Sequence, residues 1–289
     1  MNVGDPKTYR GIALVSASAV VWSMGGLFTR LLPYDLWTII FWRGIFATIF
    51  VGAYAYSRFR QDLLNRIKAA GTGGSIVCIC MLATITLFPA AFQFTTVAKA
   101  FMILSALPFV TATIAWVWLR ETPSVLTVGA SIVAALGIFI MVGPSGGGPN
   151  IGDVLAAGGT IAQAIATVVI RRSPEVKMLP MVWLAQILTI PLAFPLAQHL
   201  WDLSLRDYFV AAGFGLFPMT LGIALFVAGS TLIPATLTAL IGIAEGPMGG
   251  LWAWVGVGEV PTLSTIVGGT IVLLAVVGRV LLSDQEPGN

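Results

Sequence analysis

Apolar residues run along this chain in long blocks, separated by short polar or Gly/Pro-rich punctuation. Spanning a bilayer core takes about 20 mostly apolar residues per helix, and ten such stretches can be drawn. They cover 11–32, 36–57, 74–96, 99–119, 124–143, 151–171, 178–198, 208–230, 234–257 and 262–282. The blocks exceed barrel-strand length and lack strict alternation, so helices are the elements they predict. The expected fold is an all-α membrane protein of ten transmembrane helices. The first block is too long for the core of a signal peptide, lacks a small-residue cleavage pattern after it and leads straight to Arg30, so it reads as a span.

Composition agrees. Of 289 residues, 57% are hydrophobic and only 9% charged, against roughly 25% charged in an ordinary soluble domain. The net charge of +3 does not point to nucleic acid; its placement is the informative part. With ten spans both termini share one side. That side carries 11 of the Lys and Arg residues, the other carries Arg30, Lys99 and Arg206, and Arg43 lies within a span. The bias puts the termini in the cytoplasm of a plasma (inner) membrane.

Residues Gly143 to Asn150 form a Gly/Pro-rich run that divides the spans five and five. The expected units are 1–143, a linker 144–150, and 151–289. An offset of 138 superposes Ala115-Trp116-Val117 on Ala253-Trp254-Val255, Glu121 on Glu259, Pro123 on Pro261 and Thr127 on Thr265. An odd number of spans per copy inserts the second copy upside down. Two inverted-topology five-helix repeats around a central cavity follow, the architecture in which solute sites lie near the midplane.

Several stretches carry a family resemblance: Val20-Val21-Trp22-Ser23, Phe41-Trp42-Arg43-Gly44, Leu107-Pro108 with Arg120-Glu121, Ala244-Glu245-Gly246-Pro247 and Gly258-Glu259. In order and spacing the chain resembles the drug/metabolite transporter superfamily in its EamA-type repeat. Helix 1, with Trp22-Ser23 and Gly26 before Arg30, is also similar to aromatic amino-acid exporters. The resemblance implies export of small amphipathic metabolites, amino acids above all, by alternating access. The alternatives are a cationic-drug exporter, or a receptor or scaffold that moves no solute.

An ionised group in hydrocarbon costs at least ~2.5–3.5 kcal/mol, which makes charges inside spans functional candidates. Glu245 is the twelfth residue of its stretch, about 16 Å in. Pro247 withholds a hydrogen bond from the Ile243 carbonyl nearby. Such a carboxylate can meet a substrate ammonium or carry a coupling proton; the plain alternative is a structural acid. Arg43 can face a substrate carboxylate or pair with Glu245. Trp22 and Trp42 are candidate walls for a ring, with ordinary packing as the alternative. Gln163 and Gln186 read as interhelical hydrogen-bonders; Gln163 stands where the exporters commonly carry Trp, which keeps the site and removes stacking. Ser105 is a weaker lining candidate, its hydroxyl expected to bond its own helix. Pro108 and Pro247, one residue from equivalence, are the expected hinges. Lys99 is expected to snorkel to the interface. Trp37, Trp116, Trp118, Trp183, Trp201 and Trp254 are expected in interfacial belts.

The single histidine, His199, forbids a His-based triad or metal cluster at membrane depth. Cys78 and Cys80 read as small apolar residues, and no phosphate-binding glycine loop appears. No enzyme activity, cofactor or metal is expected; the expected partners are a small-molecule substrate and the bilayer, with protons as the candidate coupling ion. Oligomeric state stays open, since glycines such as Gly268-Gly269 can pack within or between monomers.

Overall fold

The computed structural model describes residues 6–120, 122–142, 148–173, 177–233 and 235–283, and every regular element among them is helical. Glu121, the linker positions 143–147 and Pro234 lie outside the described residues. The helices are α1 (Pro6–Ser23), α2 (Gly25–Leu31), α3 (Leu36–Phe59), α4 (Asp62–Ala69), α5 (Gly71–Phe94), α6 (Val97–Leu104), α7 (Leu107–Leu119) and α8 (Val125–Val142). The second half holds α9 (Ile151–Arg172), α10 (Met178–Ala193), α11 (Leu205–Leu216), α12 (Gly222–Ser230), α13 (Ala235–Gly242), α14 (Glu245–Val257) and α15 (Leu263–Ser283). A π-helical segment, Phe217–Leu221, joins α11 to α12.

Among the described residues, seven helical segments are long and apolar enough to cross a membrane: 6–31, 36–59, 71–94, 97–119, 125–142, 151–172 and 205–230. The seventh stretch is shorter, the ninth is broken between α13 and α14, and the tenth forms α15. The seventh stretch ends its helix at Ala193 and not near 198, because Pro191 and Pro195 cannot donate to the carbonyls before them. Between the second and third stretches the sequence indicated only a loop, yet α4 forms there. Arg60 turns the chain with φ of 48°, Asp62 lies in the first turn, and Arg66 and Lys68 lie in the last, each complementing the helix dipole.

Helix starts follow local chemistry. Asp35 accepts from the Trp37 and Thr38 amides, and Asn150 with Asp153 and Ser204 with Asp207 form reciprocal capping boxes. The helix ends at Arg120 and Gly258 both turn through the left-handed region, with φ of 57° and 73°. Those two positions are 138 apart, and the agreement extends further. Adding 138 to 97, 104, 107, 119 and 125 yields 235, 242, 245, 257 and 263, the bounds of α13 and α14 and the start of α15.

Packing runs between the halves. The pairs in contact include α5 with α9, α1 with α12, α3 with α10, α3 with α11, α5 with α10, α6 with α14, and α8 with α15. Lipid is as apolar as leucine, so close van der Waals fit holds such pairs. Gly137 and Gly268 supply it for α8 and α15: a methyl on either would strike the other's carbonyl oxygen. The Gly268 face therefore packs inside the chain. Many large apolar side chains, among them Val117, Val125, Phe139 and Leu274, stay exposed and form a surface suited to acyl chains.

Candidate functional site

Two helix breaks face each other. One lies at Ser105 and Ala106 between α6 and α7, the other at Ile243 and Ala244 between α13 and α14. Pro108 and Pro247 sit in the first turns of α7 and α14, where proline is tolerated, so each break precedes its proline. The Ile243 carbonyl is not wholly free, since the Gly246 amide reaches it at 3.3 Å. Ser105 Oγ donates to the Phe101 carbonyl at 3.0 Å, the self-bonded state expected for it. A glycine face brings α14 onto α6: Gly246 lies against Ser105, Gly249 against Phe101 and Gly250 against Ala98, with no space for a methyl.

Glu245 opens α14 at this junction, half-buried, at the positive end of the helix dipole. Its carboxylate has neither a hydrogen bond nor an ion pair among the described residues.

Arg43 is the largest fully buried side chain, 1% exposed. Pro89 inside α5 cannot donate to the Ile85 carbonyl, and Arg43 Nη2 takes that carbonyl at 2.9 Å. The guanidinium lies over the Phe214 ring, 5.2 Å from its centroid, and Nε has no partner. No ion pair joins Arg43 to Glu245. The alternative in which each neutralises the other is not realised in this conformation.

Around Arg43 the α3–α10 seam holds more orphaned polar atoms. Gln186 is fully buried; its Nε2 meets only the Met219 sulfur at 3.2 Å, a weak acceptor, and its Oε1 has no partner. Thr48 Oγ1 is likewise unpartnered. An unmet buried group of this kind costs about 1–3 kcal/mol. Gln186 was expected to hydrogen-bond between helices, and only half of its amide does so, through a sulfur.

The remaining candidates scatter. Trp22 packs on Gly222 and on Phe226, with ring centroids 5.1 Å apart, so a helix contact employs it. Trp42 Nε1 donates to the Leu200 carbonyl at 2.9 Å and the ring meets Tyr208 edge-on. Trp42 therefore belongs to an aromatic cluster with the 200–208 region. Gln163 is half-buried on α9, with no side-chain bond among the described residues. Trp183 does more than line a belt: its Nε1 donates to the Thr48 carbonyl at 3.1 Å across the α3–α10 seam.

Lys99 is a correction. It does not snorkel; it is 4% exposed and its Nζ pairs with Asp153 at 2.9 Å. Asp153 also accepts from Thr95 Oγ1 at 2.9 Å and from the Asn150 amide at 3.1 Å. Beside it Arg30 Nε pairs with Glu259 at 2.8 Å, Arg30 Nη2 donates to the Thr95 carbonyl, and Glu259 accepts from the Val97 amide. The ends of α2 and α14 and the starts of α6 and α9 are thus tied at one end of the bundle. Asn150 and Asp153 form the capping box of α9, and Lys99 reaches that box from α6.

Two open grooves lie elsewhere. One of about 260 Å³ runs between α7 and α8 past Thr113, Trp116 and Ser131; the other, about 160 Å³, lies beside Thr72, Trp118 and Arg172. Neither touches Glu245 or Arg43.

Buried charge, interrupted helices and an acyl-compatible surface define a multi-pass integral membrane protein. The sequence matches the EamA-like transporter family twice, over residues 9–143 and 150–281, and the chain belongs to that family, a branch of the drug/metabolite transporter superfamily. No curated protein matches it. A solved structure titled "Crystal structure of protein" is similar, with a TM-score of 0.62 and 15% identity over 96% of this chain and 99% of that one. At that identity the likeness shows the fold.

Proposed function

We propose that the protein is a secondary-active or facilitative transporter. It exports small amphipathic metabolites, above all amino acids with bulky or aromatic side chains, by alternating access. The observation that carries this reading is Glu245: an unpartnered carboxylate at the mouth of α14, where two helix breaks 138 residues apart meet.

Ten spans in two oppositely inserted repeats accommodate the contacts. Exchanging the halves turns α5 with α9 into α12 with α1, and α3 with α11 into α10 with α5, and all four pairs occur. Two packings related by that exchange have similar energy, which is the physical route to inward- and outward-open states. With both termini cytoplasmic in the plasma (inner) membrane, the Arg30–Glu259 and Lys99–Asp153 ties close the outer end. Glu245 then meets a substrate amine or carries the coupling proton, and the breaks before Pro108 and Pro247 supply the bends.

Purified protein in liposomes loaded with labelled amino acids tests the reading. Efflux of phenylalanine or leucine is expected, accelerated by an opposing proton gradient if Glu245 titrates during transport. Glu245→Gln is expected to abolish that acceleration, and full coupling in the variant would remove Glu245 from the mechanism. Efflux of a lipophilic cation without any amino acid would favour a drug exporter; no flux of anything would favour a receptor or scaffold.

A further inference from the structure

We infer that Arg43, Gln186 and Thr48 form a seat for a solute carboxylate bearing a hydrogen-bond donor on the adjacent carbon, and that this seat is separate from Glu245. The inference rests on the transport reading and deepens it by dividing binding from coupling.

Arg43 and Thr48 lie on adjoining turns of α3, and Gln186 lies on α10, which packs against it. Gly44 touches Thr189, Trp183 bonds to Thr48 and covers Gly52, and Gln186 sits between Trp183 and Thr189 on α10. The π-helical segment borders this layer through Met219 and α11 borders it through Phe214. π-Helical insertions frequently mark functional sites.

What each atom lacks defines the ligand. Arg43 spends one N–H on the carbonyl that Pro89 vacates and has no counter-anion, leaving Nε and the N–H groups beside it for an acceptor-only group. A carboxylate matches a guanidinium edge with two parallel bonds. Gln186 Oε1 lacks a donor, which an ammonium or hydroxyl next to the carboxylate supplies. Thr48 Oγ1 can serve either group. A lone organic cation is disfavoured here, because it would face the uncompensated guanidinium. A phosphate ester would need more than the single cation the seam provides. Glu245 has no hydrogen bond or ion pair with any of the three, which leaves it to the coupling role proposed above.

Isothermal titration of the full-length protein in detergent, with four probes, tests the seat. L-phenylalanine and L-3-phenyllactate are expected to bind, 3-phenylpropionate at least tenfold more weakly, and phenethylamine not at all. Gln186→Leu is expected to reduce phenylalanine and phenyllactate to the phenylpropionate level while leaving phenylpropionate unchanged, which a merely structural residue would not do. Arg43→Met should lose all three carboxylates. If Arg43→Met does not fold, Gln186→Leu and Thr48→Val decide. Equal binding of phenethylamine and phenylalanine, unchanged binding in folded Arg43→Met, an unaltered probe order in Gln186→Leu, or no carboxylate binding to the parent would each overturn the seat. Carboxylate binding without liposome flux would sink the transport reading and spare the seat. Amino-acid efflux retained in full by folded Arg43→Met would do the reverse.

Discussion

At the scale of single residues, polar groups are few enough that each has an identifiable task. Asp35 ends the turn before α3. Partial burial raises its pKa, but hydrogen bonds from the Thr38 side chain and from the Thr38, Gln198 and Trp37 amides outweigh it, and the carboxyl is held below its usual range. A depressed carboxylate contributes stability above its unfolded pKa and loses it as pH falls through the folded value. Thermal unfolding should therefore show an Asp35 contribution at pH 7 that fades below about pH 4. Asp35→Ala should cost about 1 kcal/mol at neutral pH. The Lys99–Asp153 pair is of another kind, with both side chains almost wholly buried. Asp153→Ala strands the ammonium and is expected to cost about 3–5 kcal/mol, whereas Lys99→Met with Asp153→Leu should recover most of that loss in a denaturation series.

Among elements, glycine sets how closely helices approach. Gly137 and Gly268 put the backbones of α8 and α15 in contact. Gly268→Val is expected to force them apart at about 1–3 kcal/mol, with a lower melting temperature and little change in helix content by circular dichroism. The breaks in the fourth and ninth stretches show how far local signals reach. Pro108 and Pro247 announced an interruption, but the helices part before them, at 105–106 and 243–244. Proline is comfortable in a first turn, so it marks where a helix restarts. The extra helix α4 was missed because eight residues between two spans produce no apolar run. It is legible only as an amphipathic turn with acid at its start and base at its end.

For the whole molecule the central question is orientation. Arg120 and Gly258 end equivalent helices, and inverted repeats would place them on opposite sides of the membrane. Single cysteines at Arg120 and at Val260, in a background with Cys78 and Cys80 replaced by alanine, are expected to react with an impermeant maleimide from opposite sides of intact cells. The Arg120 position should be reached only after permeabilisation. Labelling of both from one side would mean repeats in parallel orientation and would remove the basis for alternating access.

Hydropathy along the chain was enough to establish helices and lipid as the surrounding solvent, because each is a property of local composition repeated over about 20 residues; the family resemblance rested on short motifs in order and spacing. The offset of 138 was also visible, since a Trp, a Glu and a Pro recur at the same loop. Glu245 and Arg43 stood out because charge is conspicuous in an apolar run. Whether they met each other was beyond local information. The tertiary structure sends Arg43 to the carbonyl vacated by Pro89, 42 residues away, leaves Glu245 alone at a helix start, and hides Lys99 against Asp153. Partner choice depends on which helices abut, and that is settled by glycine contacts and kinks acting between the two halves, where no sequence window reaches.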